Sequence, residues 1–203
     1  ILPLINDLIN IKLDYQVIKC FGILEKDIKN IINDYYNMPE ISINIIGDDL
    51  DNAIYIRYNS SSNFAKIQEI MSDIISKLNK YIYSLEDESI YKMAIDLLSV
   101  QHKKLIIAET ITLGNITRKL CEIDNSNIYS SKVFVNYNDI INTLDVGKST
   151  ISDYGKYSVN TVYEFANSLL ESNPADIVLF ALGDNSSADN ICFMAVGDLD
   201  GIH

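Results

Sequence analysis

Imidazoles and thiols are few in this chain of 203 residues, so the candidates for chemistry at predicted strand ends are mainly hydroxyls. Only His102 and His203 could supply an imidazole as a base or a metal ligand. Cys20, Cys121 and Cys192 are far apart and form no C-x-x-C pair, so the sequence predicts neither a metal site nor a cofactor. Cys20 and Cys192 stand in apolar runs and are expected to be buried, reduced thiols, which indicates a cytoplasmic protein.

Four hydroxyl residues and one glycine stand close to the ends of predicted strands. Thr110 and Thr112 follow one apolar run, and Ser126, Tyr137 and Gly183 stand near others. If a pocket exists, we expect these five residues to converge beside the N-terminus of a helix. Free backbone N–H groups there would suit a phosphate or a carboxylate.

Each of these residues also has an ordinary structural interpretation. Thr110 and Thr112 could cap the following helix, because threonine commonly accepts from the backbone N–H groups of a first turn. Tyr137 could be a core aromatic whose hydroxyl reaches the surface. Ser126 stands in a polar loop and could be a turn residue.

The charge balance excludes a nucleic-acid partner. The net charge is −12, and the only arginines, Arg57 and Arg118, are far apart, so no basic stripe can neutralise a phosphate backbone. No apolar run reaches the roughly 18 residues that span a bilayer, so no membrane partner is expected. The chain begins with Ile1, without a basic leader, which indicates a fragment of a longer protein and not a signal peptide.

The first part of the chain predicts a small α+β domain. Strands are expected at residues 15–21, 41–46 and 53–58, and helices at residues 25–36 and 64–78, where apolar residues recur at helical spacing. The run Ser84-Leu85-Glu86-Asp87 resembles a capping box that opens a further helix, so the boundary is placed near Ser84. The predicted domains are residues 1–83 and 84–203.

The second part predicts an α/β domain. Strands are expected at residues 105–108, 133–135, 176–182 and 190–196, the last two buried. Helices are expected at residues 115–121, from Asp139, and at 158–170. The expected fold is therefore a small α+β domain followed by an α/β domain, with residues 105–108 and 176–182 in one sheet.

Several segments, in order, resemble the CinA (competence/damage-inducible) family. Residues 108–114 (AETITLG) stand where the family has A-E-S-C-T-G-G, and residues 125–127 (NSN) where it has G-S-S. Residues 137–142 (YNDIIN) match Y-S-N-x-x-K, residues 155–158 (GKYS) match G-A-V-S, and Leu182-Gly183 matches the T-G of T-G-I-A-G-P. In the first half, residues 21–25 (FGILE) resemble F-G-I-G-E. The resemblance identifies a linking domain followed by the C-terminal amidase-like domain.

The resemblance implies a cytoplasmic hydrolase that cleaves the carboxamide of nicotinamide mononucleotide. It implies Ser126, Thr110 and Tyr137 as catalytic residues. It also implies Glu109, Thr112, Gly114 and Gly183 as residues that contact the ligand, a nucleotide-like small molecule. A homo-oligomer is an open expectation.

The departures from the motifs predict a weakened or inactive amidase. Thr110 replaces a serine, Leu113 replaces a glycine, and the lysine of Y-S-N-x-x-K falls on Asn142, which cannot act as a base. Ser186 and Ser187 stand where the family has G-P. One alternative is a working amidase with a rearranged site, in which Lys132 serves Ser126 or Thr110. The other alternative is a structural or oligomerisation module.

Overall fold

The chain folds into two compact units. A computed structural model describes residues 13–59, 64–144, 148–184 and 191–203. The units are Ile1–Met93, which is α+β, and Ala94–His203, which is α/β, so the expected fold class is confirmed. The division falls after the boundary expected near Ser84, and the assignment of residues 1–83 and 84–203 as domains stays a prediction.

In its described residues, the first unit contains one antiparallel sheet, two whole α-helices and the beginning of a third. In sheet order the strands are β2, β3, β1 and β4. The described elements are β1 (Leu13–Phe21), α1 (Glu25–Ile31), β2 (Ile41–Asp48), β3 (Asp51–Asn59), α2 (Phe64–Leu78), β4 (Ile82–Ser84) and the beginning of α3 (Ile90–Val100).

The core of the first unit forms because β1, β3 and α2 each bury one apolar face. Ile18 lies opposite Ile54 across the β1–β3 ladder, and both are fully buried. Ile67 and Ile74 of α2, seven positions apart and therefore on one helical face, belong to the same buried cluster. This unit thus has a hydrophobic core of its own.

The second unit contains a mixed five-stranded sheet in the order β6, β5, β7, β8 and β9. Its strands are β5 (Leu105–Glu109), β6 (Ile128–Val133), β7 (Ile177–Gly183), β8 (Cys192–Asp198) and β9 (Gly201–Ile202). Its further helices are α4 (Asn115–Cys121), α5 (Tyr137–Thr143), α6 (Lys148–Tyr154) and α7 (Val159–Glu171).

The strand β5 has a parallel neighbour on each side. It pairs in parallel with β6 on one side and with β7 on the other, whereas β7, β8 and β9 are joined antiparallel. Residues 105–108 and 177–182 therefore share one sheet, as predicted. The helix α7 packs its buried Phe165 against Phe180 of β7, with ring centroids 5.7 Å apart.

Two helix starts were predicted at the wrong residue. The helix expected to open at Ser84 begins at Ile90, and Ser89 accepts from the N–H of Lys92 at 3.2 Å. Ser84 ends β4, and its hydroxyl accepts the N–H of Glu86 in a turn. The helix expected from Asp139 begins at Tyr137, because the side chain of Asn136 accepts the N–H of Asp139 and caps it.

Other corrections concern segments where periodicity was weak. The helix predicted for residues 25–36 ends at Ile31, and Asn33–Tyr35 continue as a 3-10 turn. The strand predicted at residues 133–135 is β6, which runs from Ile128 to Val133 and alternates partly buried with exposed residues. The strand β8 was predicted to be buried, but only Ala195 is buried; the other residues are half-buried or exposed, and Cys192 is exposed.

Candidate functional site

The connections around β5 create a crevice at the carboxyl edge of the sheet. The chain leaves β5 towards β6 on one side and later crosses to β7 on the other side. In parallel sheets, the point where neighbouring connections run in opposite directions leaves room for a ligand. Here that point lies between the ends of β5 and β7, where Thr110 and Gly183 stand.

Thr110 joins these two strand ends. Its hydroxyl donates to the carbonyl of Gly183 at 2.9 Å and accepts the Gly183 N–H at 2.8 Å. Its own N–H donates to the carbonyl of Ala181 at 2.9 Å. Thr110 is buried and bonds to β7, so the interpretation of Thr110 as a cap of the following helix was wrong.

A cavity of about 280 Å³ opens beside this bridge. Thr110, Tyr137 and Gly183, three of the five residues expected to converge, line it together. Its described wall also includes Phe134, Tyr157 and Asp184. Aliphatic and aromatic side chains therefore surround a small number of polar groups, which is the usual character of a ligand site.

The hydroxyl of Tyr137 is buried and has no hydrogen-bond partner among the described residues. The side chain is only 8 % exposed. Burial, and to a smaller extent the neighbouring Tyr157, raises the pKa of Tyr137 to about 12, so this phenol is a neutral donor near pH 7. The prediction that the hydroxyl would reach the surface was wrong.

Tyr157 and Asp184 were missed by the sequence reasoning. The ring of Tyr157 meets that of Tyr137 edge-on, with centroids 5.5 Å apart. Burial raises the pKa of Tyr157, and the negative charge of Asp184 adds to the effect. One signal could have found both residues, because Asp184 directly follows β7 and Tyr157 directly precedes Ser158, the N-cap of α7.

Glu109 lies at the end of β5 and binds the start of α4. Its carboxylate accepts from the hydroxyls of Thr112 and Thr117, both at 2.6 Å. It also accepts from the N–H groups of Ile116 and Thr117, at 3.0 and 2.9 Å. The N–H groups expected to be open to a phosphate are therefore occupied by an internal carboxylate, which corrects the prediction of an anion site there. Thr112 contributes to this cap by donating its hydroxyl to Glu109, and a contact between Thr112 and a ligand stays a prediction.

The turn between β5 and α4 has left-handed backbone at two positions. Gly114 has φ +84°, and a Cβ there would come within 3.2 Å of Val133. Leu113 has φ 49° and is 59 % exposed, although it stands where the related motif has glycine. The loop thus keeps a conformation that glycine adopts more easily than leucine.

Ser126 does not lie in the cavity. Lys104 donates from Nζ to the carbonyl of Ser126 at 2.5 Å, and Leu105, the first residue of β5, donates to Asn127. Ser126 therefore lies at the amino edge of the sheet, roughly 15 Å along the strands from Thr110. Its N–H and hydroxyl both donate to Asp124, which agrees with the turn interpretation and corrects the expected convergence.

Asn142 and Lys132 occupy different positions relative to the cavity. Asn142 is exposed on α5, five positions after Tyr137, so it lies on another face of the helix. Lys132 is partly buried and lies opposite Ala108 near the carboxyl end of β6. It is therefore remote from Ser126 but only one strand away from the segment that contains Thr110.

The described part of the chain offers neither a metal site nor a membrane-spanning helix. No group of three or more His, Cys, Asp or Glu side chains could hold a metal ion in residues 13–59, 64–144, 148–184 and 191–203. Within the same ranges, no helix is long and apolar enough to cross a membrane.

Comparison with known sequences gives a consistent family. The model of the CinA C-terminal domain matches residues 87–183. A CinA-like protein of Kosmotoga olearia is 26% identical over 189 residues, which cover 90% of this chain and 46% of the relative. A CinA-like protein of Thermotoga neapolitana is 24% identical over 174 residues, covering 83% and 42%. The chain thus spans less than half the length of these relatives.

A solved structure agrees at the level of the fold. The CinA superfamily protein of Escherichia coli matches with a TM-score of 0.50 and 20% identity, over 61% of this chain and 80% of that one. The matched family model covers β5, β6, α5 and β7, and it includes every described residue that lines the cavity except Asp184. Residues 87–183 are therefore similar to the CinA C-terminal domain.

Proposed function

We propose that the chain is a cytoplasmic CinA-type protein that binds a nucleotide-like small molecule in the Thr110–Tyr137–Gly183 cavity. In this proposal its nicotinamide-nucleotide amidase activity is weakened or absent. The observation that carries the proposal is the cavity itself, which lies at the switch point between β5 and β7. Three residues at the positions of CinA motifs line it together.

The hydrogen bonds of Thr110 support the weakened activity. Amide hydrolysis needs a nucleophile whose proton is taken by a base. The Thr110 hydroxyl donates to a backbone carbonyl, which cannot take the proton, and it also accepts from a backbone N–H. Its branched Cβ further restricts rotation into a different arrangement.

The positions of Ser126 and Asn142 support the same conclusion. Ser126 lies at the amino edge of the sheet, away from the cavity. Asn142 supplies no base, and its side chain is exposed. Loss of a general base typically lowers the rate by about 10²–10⁴-fold.

One observation favours a working amidase as a second candidate. Lys132 lies opposite Ala108, two residues before Thr110 along β5, and paired positions in a ladder share a face of the sheet. A lysine side chain is long enough to span the distance of two residues along the strand that separates Lys132 from Thr110. Lys132 and Thr110 would then be the base and the nucleophile.

An assay of ammonia release from nicotinamide mononucleotide tests the proposal. We expect turnover far below the roughly 1 s⁻¹ of ordinary enzymes, with no dependence on Thr110→Ala or Lys132→Met. Ser126→Ala is the matched control, because it removes a hydroxyl at the opposite edge. Turnover near 1 s⁻¹ that both Thr110→Ala and Lys132→Met abolish would establish the second candidate. The solution mass determines whether homo-oligomerisation accompanies either function.

A further inference from the structure

Thr161 is a fully buried polar side chain that does not belong to the described wall of the cavity. It lies in the first turn of α7. A hydroxyl buried without hydrogen bonds costs free energy, so the partners of Thr161 determine what this side chain contributes. Its backbone N–H donates to the hydroxyl of Ser158 at 3.2 Å, which is the ordinary N-cap of a helix.

The hydroxyl of Thr161 binds outside its own helix. It donates to the carbonyl of Gly155 at 2.7 Å and accepts from the hydroxyl of Ser158 at 2.9 Å. Gly155 follows the end of α6. Its N–H donates to the carbonyl of Ile151 at 3.0 Å, and its φ of +86° is a value that glycine commonly adopts just after a helix. The carbonyl of Gly155 therefore ties the end of α6 to the start of α7.

Only Lys156 and Tyr157 lie between the two attached residues, Gly155 and Ser158. The ring of Tyr157 lines the cavity and meets the ring of Tyr137 edge-on, with centroids 5.5 Å apart. The ammonium of Lys156 lies 5.3 Å from the centroid of the same Tyr137 ring. A segment this short that is held at both ends has few conformations, so the direction of Tyr157 depends on the two attachments.

We infer that Thr161 is a positioning residue for the cavity. By holding the carbonyl of Gly155, it keeps the ring of Tyr157 in the wall and so sets the width of the space that a ligand enters. This inference rests on the proposed function, because it concerns the same cavity, but it gives a role to a side chain outside the wall. If Thr161 served only to stabilise the start of α7, its hydroxyl would not affect the position of Tyr157.

Three variants separate positioning from helix capping. Thr161→Val keeps the branched shape but removes the donor to Gly155, whereas Thr161→Ser keeps that donor and loses one methyl group. Ser158→Ala is the matched control, because it removes the N-cap of α7 and leaves the Thr161 hydroxyl able to donate to Gly155. Should Thr161→Val fail to fold, Thr161→Cys takes its place, since a thiol is a much weaker donor.

The position of Tyr157 is measured without a ligand, by NOEs between the rings of Tyr157 and Tyr137 in protein with labelled tyrosine and a deuterated background. Tyr157→Phe and Tyr137→Phe, in which the phenylalanine is unlabelled, assign the cross-peaks. We expect Thr161→Ser and Ser158→Ala to keep the wild-type intensity. Thr161→Val should lose about half of it or more, because loss of one hydrogen bond shifts a conformational equilibrium roughly twofold to tenfold.

Ligand affinity gives an independent measurement. Nicotinamide mononucleotide is the probe, and its dissociation constant is measured by ligand-observed NMR titration. We expect Thr161→Val to raise the dissociation constant roughly twofold to tenfold, because a smaller fraction of the protein presents the complete wall. Thr161→Ser should bind as the wild type does. Ser158→Ala should also keep the wild-type affinity, although it lowers the stability measured in urea.

The outcomes distinguish the inference from the proposed function. If Thr161→Val keeps the ring cross-peaks, or if Ser158→Ala loses them equally, Thr161 does not position Tyr157 and the inference is wrong. Loss of the cross-peaks with unchanged affinity for the mononucleotide would also overturn it, because Tyr157 would then not set the width of the cavity. If the cross-peaks depend on Thr161 but the wild type binds no mononucleotide at millimolar concentration, the proposed ligand is wrong while the positioning of Tyr157 stands.

Discussion

The carboxylate of Glu109 binds the N–H groups at the start of α4, in the position that a bound anion occupies at many helix N-termini. Burial is the largest influence on its pKa and raises it. The hydrogen bonds from Thr112, Thr117 and Ile116 together outweigh burial and lower the pKa below its usual value. A carboxylate of this kind stabilises the folded state above the pKa it has in the unfolded chain. The stabilisation is lost as pH falls through the folded-state pKa.

Glu109→Gln should destabilise the second unit, because an amide presents donors where the chain already supplies donors. We expect a loss on the order of 2–4 kcal/mol in the free energy of unfolding at pH 7, measured in urea. The difference in the free energy of unfolding between the variant and the wild type should become smaller as the pH falls below 4.5, the ordinary pKa of glutamate. Glu122→Gln, at the exposed C-cap of α4, should change stability little. An equal loss in both variants would contradict the capping role.

At the element scale, the sequence predicted best where one periodic pattern ran over many residues. The helix α2 was predicted with its bounds and α7 within one residue, because apolar residues recur on one face over three or more turns. The edge strand β6 was misplaced, because apolar and polar residues do not alternate in its sequence, IYSSKV, although the burial of its residues does. The start of α3 was also missed, since Ser84 and Ser89 both stand at plausible cap positions and only the fold selects between them.

The site was predictable only in part for a related reason. Thr110, Tyr137 and Gly183 follow or flank strands that meet at one edge, so the order of motifs brings them together. Ser126 stands in a similar polar loop, but that loop precedes its strand and lies at the other edge. Whether Ser126 lies before or after a strand depends on where β6 begins. Because β6 was predicted at residues 133–135, its true start at Ile128 was missed and Ser126 was placed at the wrong edge.

Thr110→Val should weaken the connection between β5 and β7. Valine keeps the shape but removes the acceptor for the buried N–H of Gly183 and the donor to its carbonyl. We expect a loss of about 1–3 kcal/mol in the free energy of unfolding, measured by urea titration. Thr143→Val is the matched control, because its hydroxyl bonds the Asp139 carbonyl on an exposed helix face. If the two variants lose equal stability, the buried hydrogen bonds between Thr110 and Gly183 stabilise the fold no more than an exposed helical hydroxyl does.

At the scale of the whole molecule, the two units differ in the thiols they expose. Cys20 is fully buried in β1 of the first unit. Cys121 and Cys192, in the second unit, are exposed, and all three cysteines are free thiols. Because thiolates are the reactive form, burial affects reactivity through both access and pKa. The thiols therefore report on the two units separately.

Two thiols should react with a disulfide reagent in the folded protein, and the third should react only when the first unit opens. Burial raises the pKa of Cys20 to about 11, so at pH 8 its thiolate fraction is on the order of 10⁻³ even before access is considered. Burial raises the pKa of Cys192 less strongly, so Cys192 should react in the fast group with Cys121. Stopped-flow labelling across a urea series measures both groups. Cys20→Ala should remove the slow phase alone, and Cys121→Ser should remove one equivalent from the fast phase. Rapid reaction of all three thiols without urea would mean that β1 is not a packed core strand.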